Sequence, residues 1–459
     1  MSAALDSTVR AVSIGDGKPA PSLNQPFSPT ICLLALSAIT DDPRVRRQGD
    51  SFHRSGWRVV GVGLPGGRSP PPEWPVLVED QPAVGIAAGR HRARRRKLPQ
   101  SARQSFRAAT ANYLRNKPRL QRLASNGWRL LVHYALSSVR ICPSLAEKFF
   151  WWDPSPRQLY ELAGAVAADV WLANDWTALP IAARLAQEKG GFYGYDTHEL
   201  ATDEYAEKWA WRLCQRPFVR AIERKFIGQA NVVSAVSAGI AGRLDELYSL
   251  PRPALVVRNT PNYEPCRLRP TGERIGVLYH GIIVAGRGLE AAIDSVADWR
   301  TKFELSIRGP DNPQFMRLLR ARIAARRLEA RVRLLPAVPM MQLVREAAAY
   351  DIGFFALPPH SLHNKFALPN KFFEYIMAGL AVCVTEVPEM GRLVREYELG
   401  VTLPSLDPAV IASVINALDP ETIDRYKRNA LAAARELCWE QESERLLKAY
   451  GAVLQRAAT

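Results

Sequence analysis

The sequence holds no apolar run long enough to cross a bilayer. Its first one, Ile31 to Ile39, is far short of the roughly 20 residues a membrane span requires, and Asp41-Asp42 close it. The opening 30 residues are polar, with several Pro, Ser and Gly, and lack the apolar core of a secretion signal. A cytoplasmic protein is expected. Cysteine is scarce: six residues in 459, none in a CxxC pair. That argues against a disulfide framework or a thiolate metal site and favours buried free thiols. Acidic residues are missing altogether from 81–146, which carries fourteen Lys or Arg. The net charge of +16 therefore belongs to this one segment, because the other 393 residues together hold only +2.

The rest is ordinary globular composition, 47% hydrophobic and 23% charged. A chain of 459 residues is too long for one core, so two domains are expected. Residues 1–29 read as a disordered tail. Strand–helix alternation then runs through strands near 31–37, 58–62, 170–173, 192–195, 231–235 and 254–257. Helices are predicted at 43–55, 157–167, 177–188, 203–229 and 238–248, and 64–82 reads as a loop. Ser105 to Leu136, inside the basic insertion, has mixed helical periodicity. Pro251, Pro253, Pro261, Pro265 and Pro270 mark a linker. The second half repeats the alternation, with strands near 275–279, 303–307, 331–335, 351–355, 380–384 and 400–403, and helices near 288–299, 313–326, 340–349, 369–378 and 389–396. Apolar strands joined by helical crossovers predict an α/β fold of two doubly wound parallel sheets facing a cleft. The boundaries expected are 30–265 for the first domain (insertion 81–146 included), 266–438 for the second, and a helix in 439–459 that crosses back to the first.

The most informative stretch is PNKFFEYIMAGLAVCV, residues 369–384. Pro369 suits a helix start and Gly379 a helix end, and Leu380 to Val384 is a buried strand. The helix N-terminus then faces the carboxyl edge of a parallel sheet, where free amides and the helix dipole attract phosphate. Lys371 adds a cation in the first turn. Glu374, three residues on along the same face, can accept hydrogen bonds from sugar hydroxyls. Together these predict a nucleotide-sugar diphosphate site.

This run resembles the nucleotide-sugar signature of retaining glycosyltransferases with the GT-B fold, in particular glycosyltransferase family 4 (glycosyl transferase group 1). Other pieces are similar to that family in order and spacing: Asp42-Pro43-Arg44-Val45 with Gly56-Trp57-Arg58-Val59, Asp169-Val170-Trp171 to Asp175, Tyr195-Asp196-Thr197-His198-Glu199, Val236-Ser237-Ala238, Val257-Arg258-Asn259-Thr260-Pro261, Tyr279-His280-Gly281 with Gly286-Arg287-Gly288-Leu289, and Trp439-Glu440. The resemblance covers about 31–455 apart from the insertion. It implies transfer of a sugar, with retention, from a nucleotide-diphosphate sugar to a glycan or lipid-linked acceptor in polysaccharide or glycolipid synthesis, as a hexosyltransferase-type activity. It implies no cofactor and no metal, and Asp41-Asp42 reads as a loop and helix cap rather than a cation site.

The resemblance also assigns roles. His198, Arg287, Lys371 and Glu374 form the catalytic set. Arg287 is the diphosphate cation, where the family often has Lys. Gly281, Gly288, Pro369 and Asn370 join Arg287, Lys371 and Glu374 around the donor nucleotide, with Glu374 on the ribose. Asp42, Arg44, His198 and Glu199 form the acceptor side. His198 follows a strand end, so it faces the cleft and orients substrates rather than acting as base; the leaving phosphate takes the acceptor proton. One position departs from the family. Its first glutamate, which contacts the donor sugar, is Phe366 here. Either the loop 358–368 supplies another group (His360, His363, Asn364 or Lys365), or donor-sugar recognition differs, or activity is lost.

The basic insertion 81–146 has several readings: a solvated charge run, contact with an anionic membrane surface beside a lipid-linked acceptor, a protein partner, or nucleic acid, which no accompanying motif supports. Two rivals to the transferase reading stand: a GT-B nucleotide-sugar epimerase, and a non-catalytic GT-B scaffold that binds nucleotide or glycan.

Overall fold

The computed structural model describes residues 28–67, 69–78, 136–310 and 312–458. All but the last two residues of the expected tail 1–29, the helical periodicity expected over 105–136 up to residue 135, and residues 81–135 of the basic insertion 81–146 lie outside them.

Two all-parallel sheets carry the described chain. The first has the order β3-β2-β1-β4-β5-β6-β7, with β1 at Thr30–Ala35, β2 at Arg58–Val62, β3 at Val76–Leu77, β4 at Val170–Asn174, β5 at Phe192–Thr197, β6 at Val232–Ala235 and β7 at Leu255–Val256. The second has the order β10-β9-β8-β11-β12-β13, with β8 at Ile275–His280, β9 at Phe303–Arg308, β10 at Val332–Leu335, β11 at Ile352–Phe355, β12 at Ala381–Thr385 and β13 at Gly400–Leu403. Central strands such as β4 (VWLAN) and β12 (AVCVT) are buried at every residue. Only apolar runs capped by helices on both faces tolerate that. In each sheet the chain leaves one side of its first strand and returns on the other, β1 to β4 and β8 to β11. That reversal opens a crevice at the strands' carboxyl ends, where such sheets bind ligands.

Side chains from 439–458 complete the first core. The helix Trp439–Ala458 follows the second sheet in sequence, yet Trp439, Leu446, Tyr450 and Val453 pack with Ile31, Val45, Phe52 and Val170. Trp439 Nε1 donates to Ser51 Oγ at 2.8 Å, and its backbone N–H donates to Pro261 O at 2.8 Å. Glu442, fully buried, holds Arg258 at 2.6 Å. The linker is thus clamped where the chain passes between domains.

Several expectations need correction. Val76–Leu77 is a strand paired to Gly61-Val62, inside the stretch read as a loop. The helices Leu145–Phe150, Pro408–Asn416 and Pro420–Ala433 were not anticipated. The helix expected from 203 is a series of turns as far as Glu207, then a π-type turn at Trp211–Gln215 that continues as Arg216–Phe226. The 358–368 loop contains the short helix Leu362–Phe366, opened by Ser361, whose Oγ accepts from Asn364 N–H. All six cysteines are free, but only Cys32, Cys383 and Cys438 are buried; Cys214 and Cys266 are half-buried and Cys142 is exposed.

Candidate functional site

The crevices of the two sheets face each other across a cavity of about 1020 Å³. Asp42, Arg44, His198 and Glu199 line it from the first domain; Arg287, Pro369 and Asn370 line it from the second.

The first-domain wall starts at the helix Pro43–Arg54. Asp42 caps it, accepting from the N–H groups of Arg44 and Val45 at 3.2 Å each, with Ser37 Oγ at 2.9 Å. Its carboxylate is therefore engaged in the cap. Arg44, in the first turn, is buried and paired bidentately with buried Asp196, at 2.5 and 2.7 Å. Gln48 Nε2 at 2.7 Å and Ser234 Oγ at 2.5 Å also donate to Asp196. Arg44 thus reaches the cavity as part of a neutralised wall, not as a free cation.

His198 stands at the end of β5 on this network. Its Nε2 lies 3.2 Å from Asn174 Oδ1 and 3.3 Å from Asp196 Oδ2, and its Nδ1 lies 3.6 Å from Asp175 Oδ2. Burial works against charge on the ring, but Asp175, Asp196 and Asp42 outweigh it and hold the imidazole up at about 9. These carboxylates favour the charged ring, whose two nitrogens both face first-domain partners while the ring lines the cavity. Asp175, its partner, holds a left-handed backbone at φ +67°, a conformation that persists only where the surroundings impose it. Glu199 reaches across the cleft, its Oε2 2.9 Å from His363 Nε2. Beside it, His360 Nε2 lies 3.7 Å from Glu207.

The second-domain wall is built around two glycines. Gly281 sits at φ +128°, and a Cβ there would lie 2.5 Å from Lys371 Nζ. Gly288 sits at φ +73°, and its Cβ would lie 1.9 Å from Ala356 O. Gly288→Ala is therefore expected to distort the Arg287 loop and abolish ligand binding, read as loss of any nucleotide-induced thermal shift. Lys371 is half-buried, its Nζ 4.2 Å from the Tyr279 ring centroid and 4.3 Å from that of Phe355. Burial, reinforced by Arg287, pulls its pKa down to about 7. It lies behind Gly281, below the cavity surface, rather than at an exposed helix start. Pro369 and Asn370 present the N-terminus of the helix Asn370–Met377 to the cavity. Glu374, on the next turn, lies 2.8 Å from His280 Nε2. Burial opposes its charge, but His280, Arg47 and Lys371 outweigh that and keep its pKa low.

Phe366 does not line the cavity. Its ring covers Gly239 of the first domain, where a Cβ would lie 2.4 Å from Phe366 Cδ1. Its carbonyl accepts from Ser237 Oγ at 2.7 Å, and Gly239 N–H donates to Glu389 Oε1 at 2.5 Å. The position is a contact between domains. Phe366→Glu is expected to place a carboxylate beside Glu389 and destabilise the protein by about 1–3 kcal/mol, seen in denaturant melts. Of the four alternative groups in 358–368, His360, His363 and Asn364 line the cavity and Lys365 is exposed away from it. Each of the three already has a partner: Asn364 Nδ2 donates to Pro358 O at 2.7 Å, His363 faces Glu199 and His360 faces Glu207.

Two residues of the site had no role in the sequence reading. His280 was legible only as part of YHG; its pairing with Glu374 depends on two strands and a helix meeting. Arg47, half-buried on the helix Pro43–Arg54, donates from Nε to Pro43 O at 2.8 Å, its guanidinium against the Trp439 ring and within the field of Glu374. Its spacing of three from Arg44 places both on one helix face, a signal present in the sequence.

No family model matches the chain, and no curated protein matches it by sequence. Solved structures do. Sucrose-phosphate synthase from Thermosynechococcus elongatus superimposes with a TM-score of 0.66 at 14% identity, covering 94% of this chain and 100% of that one. Anabaena HepE in complex with UDP and glucose gives 0.60 at 13%, covering 92% and 99%. A glycosyltransferase from Rickettsia africae gives 0.59 at 11%, covering 93% and 99%. The shared architecture of two parallel-sheet domains is the GT-B fold.

Proposed function

We propose that this protein is a retaining glycosyltransferase of the family 4 type, moving a sugar from a nucleotide-diphosphate donor to a glycan or lipid-linked glycan acceptor at the inner face of a membrane, without a metal. The observation that carries the reading is one cavity lined by Arg287, the helix N-terminus at Pro369-Asn370 and His198, with Lys371 set beneath Gly281. As the sugar leaves, charge builds on the diphosphate. Fixed donors and cations in a closed cleft stabilise that charge without reorganising. Arg287 and the amides at 370–371 would hold the phosphates, Glu374 the ribose, and His198 the donor sugar's hydroxyls. The departing phosphate would accept the acceptor's proton, since His198 holds its own. HepE, crystallised with UDP, makes uridine the first base to try.

The test is a thermal-shift panel of nucleoside diphosphates and nucleotide sugars on the wild type and Glu374→Ala. Ligand at 100 times its dissociation constant stabilises by about 2.7 kcal/mol. A selective shift lost in the variant supports the reading, and no shift with any ligand sinks it. Lys371 gives a second readout. Near pH 8 its amine is largely neutral, and bound phosphates would restore its proton. Binding should then take up to about one proton, so calorimetric enthalpies should differ between buffers of unlike ionisation enthalpy. Lys371→Met should erase the difference; identical enthalpies in the wild type would remove Lys371 from the phosphate site.

A non-catalytic scaffold remains the second reading, favoured by one observation: Phe366 turns to the domain contact and leaves the donor sugar without the family's glutamate. Nucleotide binding without turnover of any donor would select it.

A further inference from the structure

The second-domain chain leaves its own core for one short helix. Ala356 and Leu357 before the helix Leu362–Phe366, and Leu368 after it, are buried in the core of the second domain. Leu362 and Phe366, four residues apart and so on one face of that helix, pack instead onto the core of the first. Polar contacts tie the same segment across the cleft. Ser237 Oγ donates to Phe366 O at 2.7 Å, His363 Nε2 lies 2.9 Å from Glu199 Oε2, and His360 Nε2 lies 3.7 Å from Glu207 Oε2. Next to them Gly239 N–H donates to Glu389 Oε1 at 2.5 Å, so the first turn of the first-domain helix Ala238–Tyr248 meets a second-domain carboxylate.

The two histidine links are ion pairs while the rings carry a proton. Burial opposes the charge on His363, Glu199 and Glu204 of the first domain favour it, and Arg287 of the second opposes it; the balance holds the ring above its ordinary value. Other charges on the packed elements are taken up elsewhere: Asp203 by Arg216 at 3.1 Å, Arg392 by Glu396 at 2.6 Å, and Lys208 over the Tyr205 ring at 4.4 Å. Lys365, on the segment itself, is exposed, and the first turn of Ala238–Tyr248 carries no charged residue.

We infer that the segment from His360 to Phe366 is a proton-dependent clasp: it holds the second domain on the first while His363 is charged, and lets go as that ring loses its proton. The pair adds to closure in full below about pH 6.5, the ring's ordinary value. That contribution is lost as pH rises through the higher value of the closed state. Because Glu199, His360 and His363 all line the cavity, release opens the cavity along that side. The clasp needs no ligand, so it stands or falls apart from the transferase reading.

The experiment is amide hydrogen exchange of the full chain by mass spectrometry between pH 5.5 and 9, with exchange times scaled for the intrinsic pH dependence. The peptide holding Gly239 reports the contact between domains, and peptides within β4 and β12 report the two cores. In the wild type, protection at Gly239 should fall about tenfold toward pH 9, the worth of one hydrogen bond to a charged group, while β4 and β12 stay unchanged. His363→Gln keeps a donor but not the charge, and should show the low protection at every pH. Glu199→Gln should flatten the profile in the same way. Arg287→Gln removes the opposing charge and should move the fall to higher pH. Equal protection at Gly239 across the range in the wild type overturns the inference, as does a wild-type profile in His363→Gln. A fall that spreads to β4 and β12 also overturns it, because that is loss of fold rather than release of a clasp.

Discussion

Arg287→Ala is expected to lower sugar transfer by about 10²–10³-fold, the effect of deleting one preorganised donor to developing charge, with no change in melting temperature. The reason is position. Among the described residues Arg287 makes no hydrogen bond or ion pair, yet its charge is felt by Lys371, Tyr279 and His363 in the second domain and by Tyr205 in the first. A half-buried cation facing a cavity without a protein partner has its stabilising role only when an anion arrives. Nucleoside diphosphate affinity should fall about tenfold or more, the contribution of one hydrogen bond to a charged group. Arg287→Lys should recover part of both, since Lys supplies charge without the planar fork. The measurement is turnover of the donor identified by thermal shift, alongside the melt. A rate within threefold of wild type would remove Arg287 from the reaction; a melting temperature that falls with the rate would make it structural.

Arg44→Ala is expected to have the opposite profile. It should cost about 3–5 kcal/mol of stability, the range for stripping one partner from a buried ion pair, or a fall of about 10 °C in the melting temperature of its domain. Asp196 would remain fully buried, with Gln48, Ser234 and His198 as its remaining donors. The same network sets a pH signature. Arg44 and His198 outweigh burial and hold Asp196 well below the usual carboxylate range. Its contribution is present above about pH 3.9, the unfolded value, and is lost as pH falls toward its folded one. His198 is raised to about 9. Its contribution is full below about pH 6.5 and is lost as pH rises through about 9. Lys371, lowered to about 7, acts with the other sign, because its charged form is the disfavoured one. Stability gained on losing that charge accrues from about pH 7 to 10.4. The wild type and His198→Gln should therefore be compared across pH 6–10; the difference between them should shrink steadily toward alkaline pH. A constant difference would mean that the imidazolium contributes nothing.

The strands and the parallel doubly wound class were legible because the strands are short apolar runs between helix signals, and β8 to β13 fall within a residue or two of their predicted limits. Val76–Leu77 escaped because a two-residue edge strand leaves no periodicity, only Pro and Gly around it. The helices Pro408–Asn416 and Pro420–Ala433 carry readable signals, Asp407 and Asp419 each followed by proline, and were overlooked rather than hidden. At the site, residue identity was readable and engagement was not. Arg44 stood out as an acceptor-side cation, but its partner Asp196 lies 152 positions away, and only the β1–β4–β5 register brings them together. Lys371 was placed by its helix, but its depth depends on Tyr279 and Phe355 meeting beneath Gly281. Phe366 was recognised as a departure, and the ring's use at Gly239 could not be inferred without the facing domain.

The packing of 439–458 onto the first domain has a consequence for biosynthesis. The ribosome completes β1 to β7 long before it makes Trp439 and Tyr450, both of which are fully buried against that sheet. Until then the groove around Ile31, Phe52 and Val170 has no cover, so the first domain cannot finish folding as it emerges, although domains usually do. Nascent chains should expose an apolar furrow to holding chaperones through synthesis of the whole second domain. Ribosomal stalling anywhere between 258 and 438 would release a species prone to aggregate rather than a folded first domain.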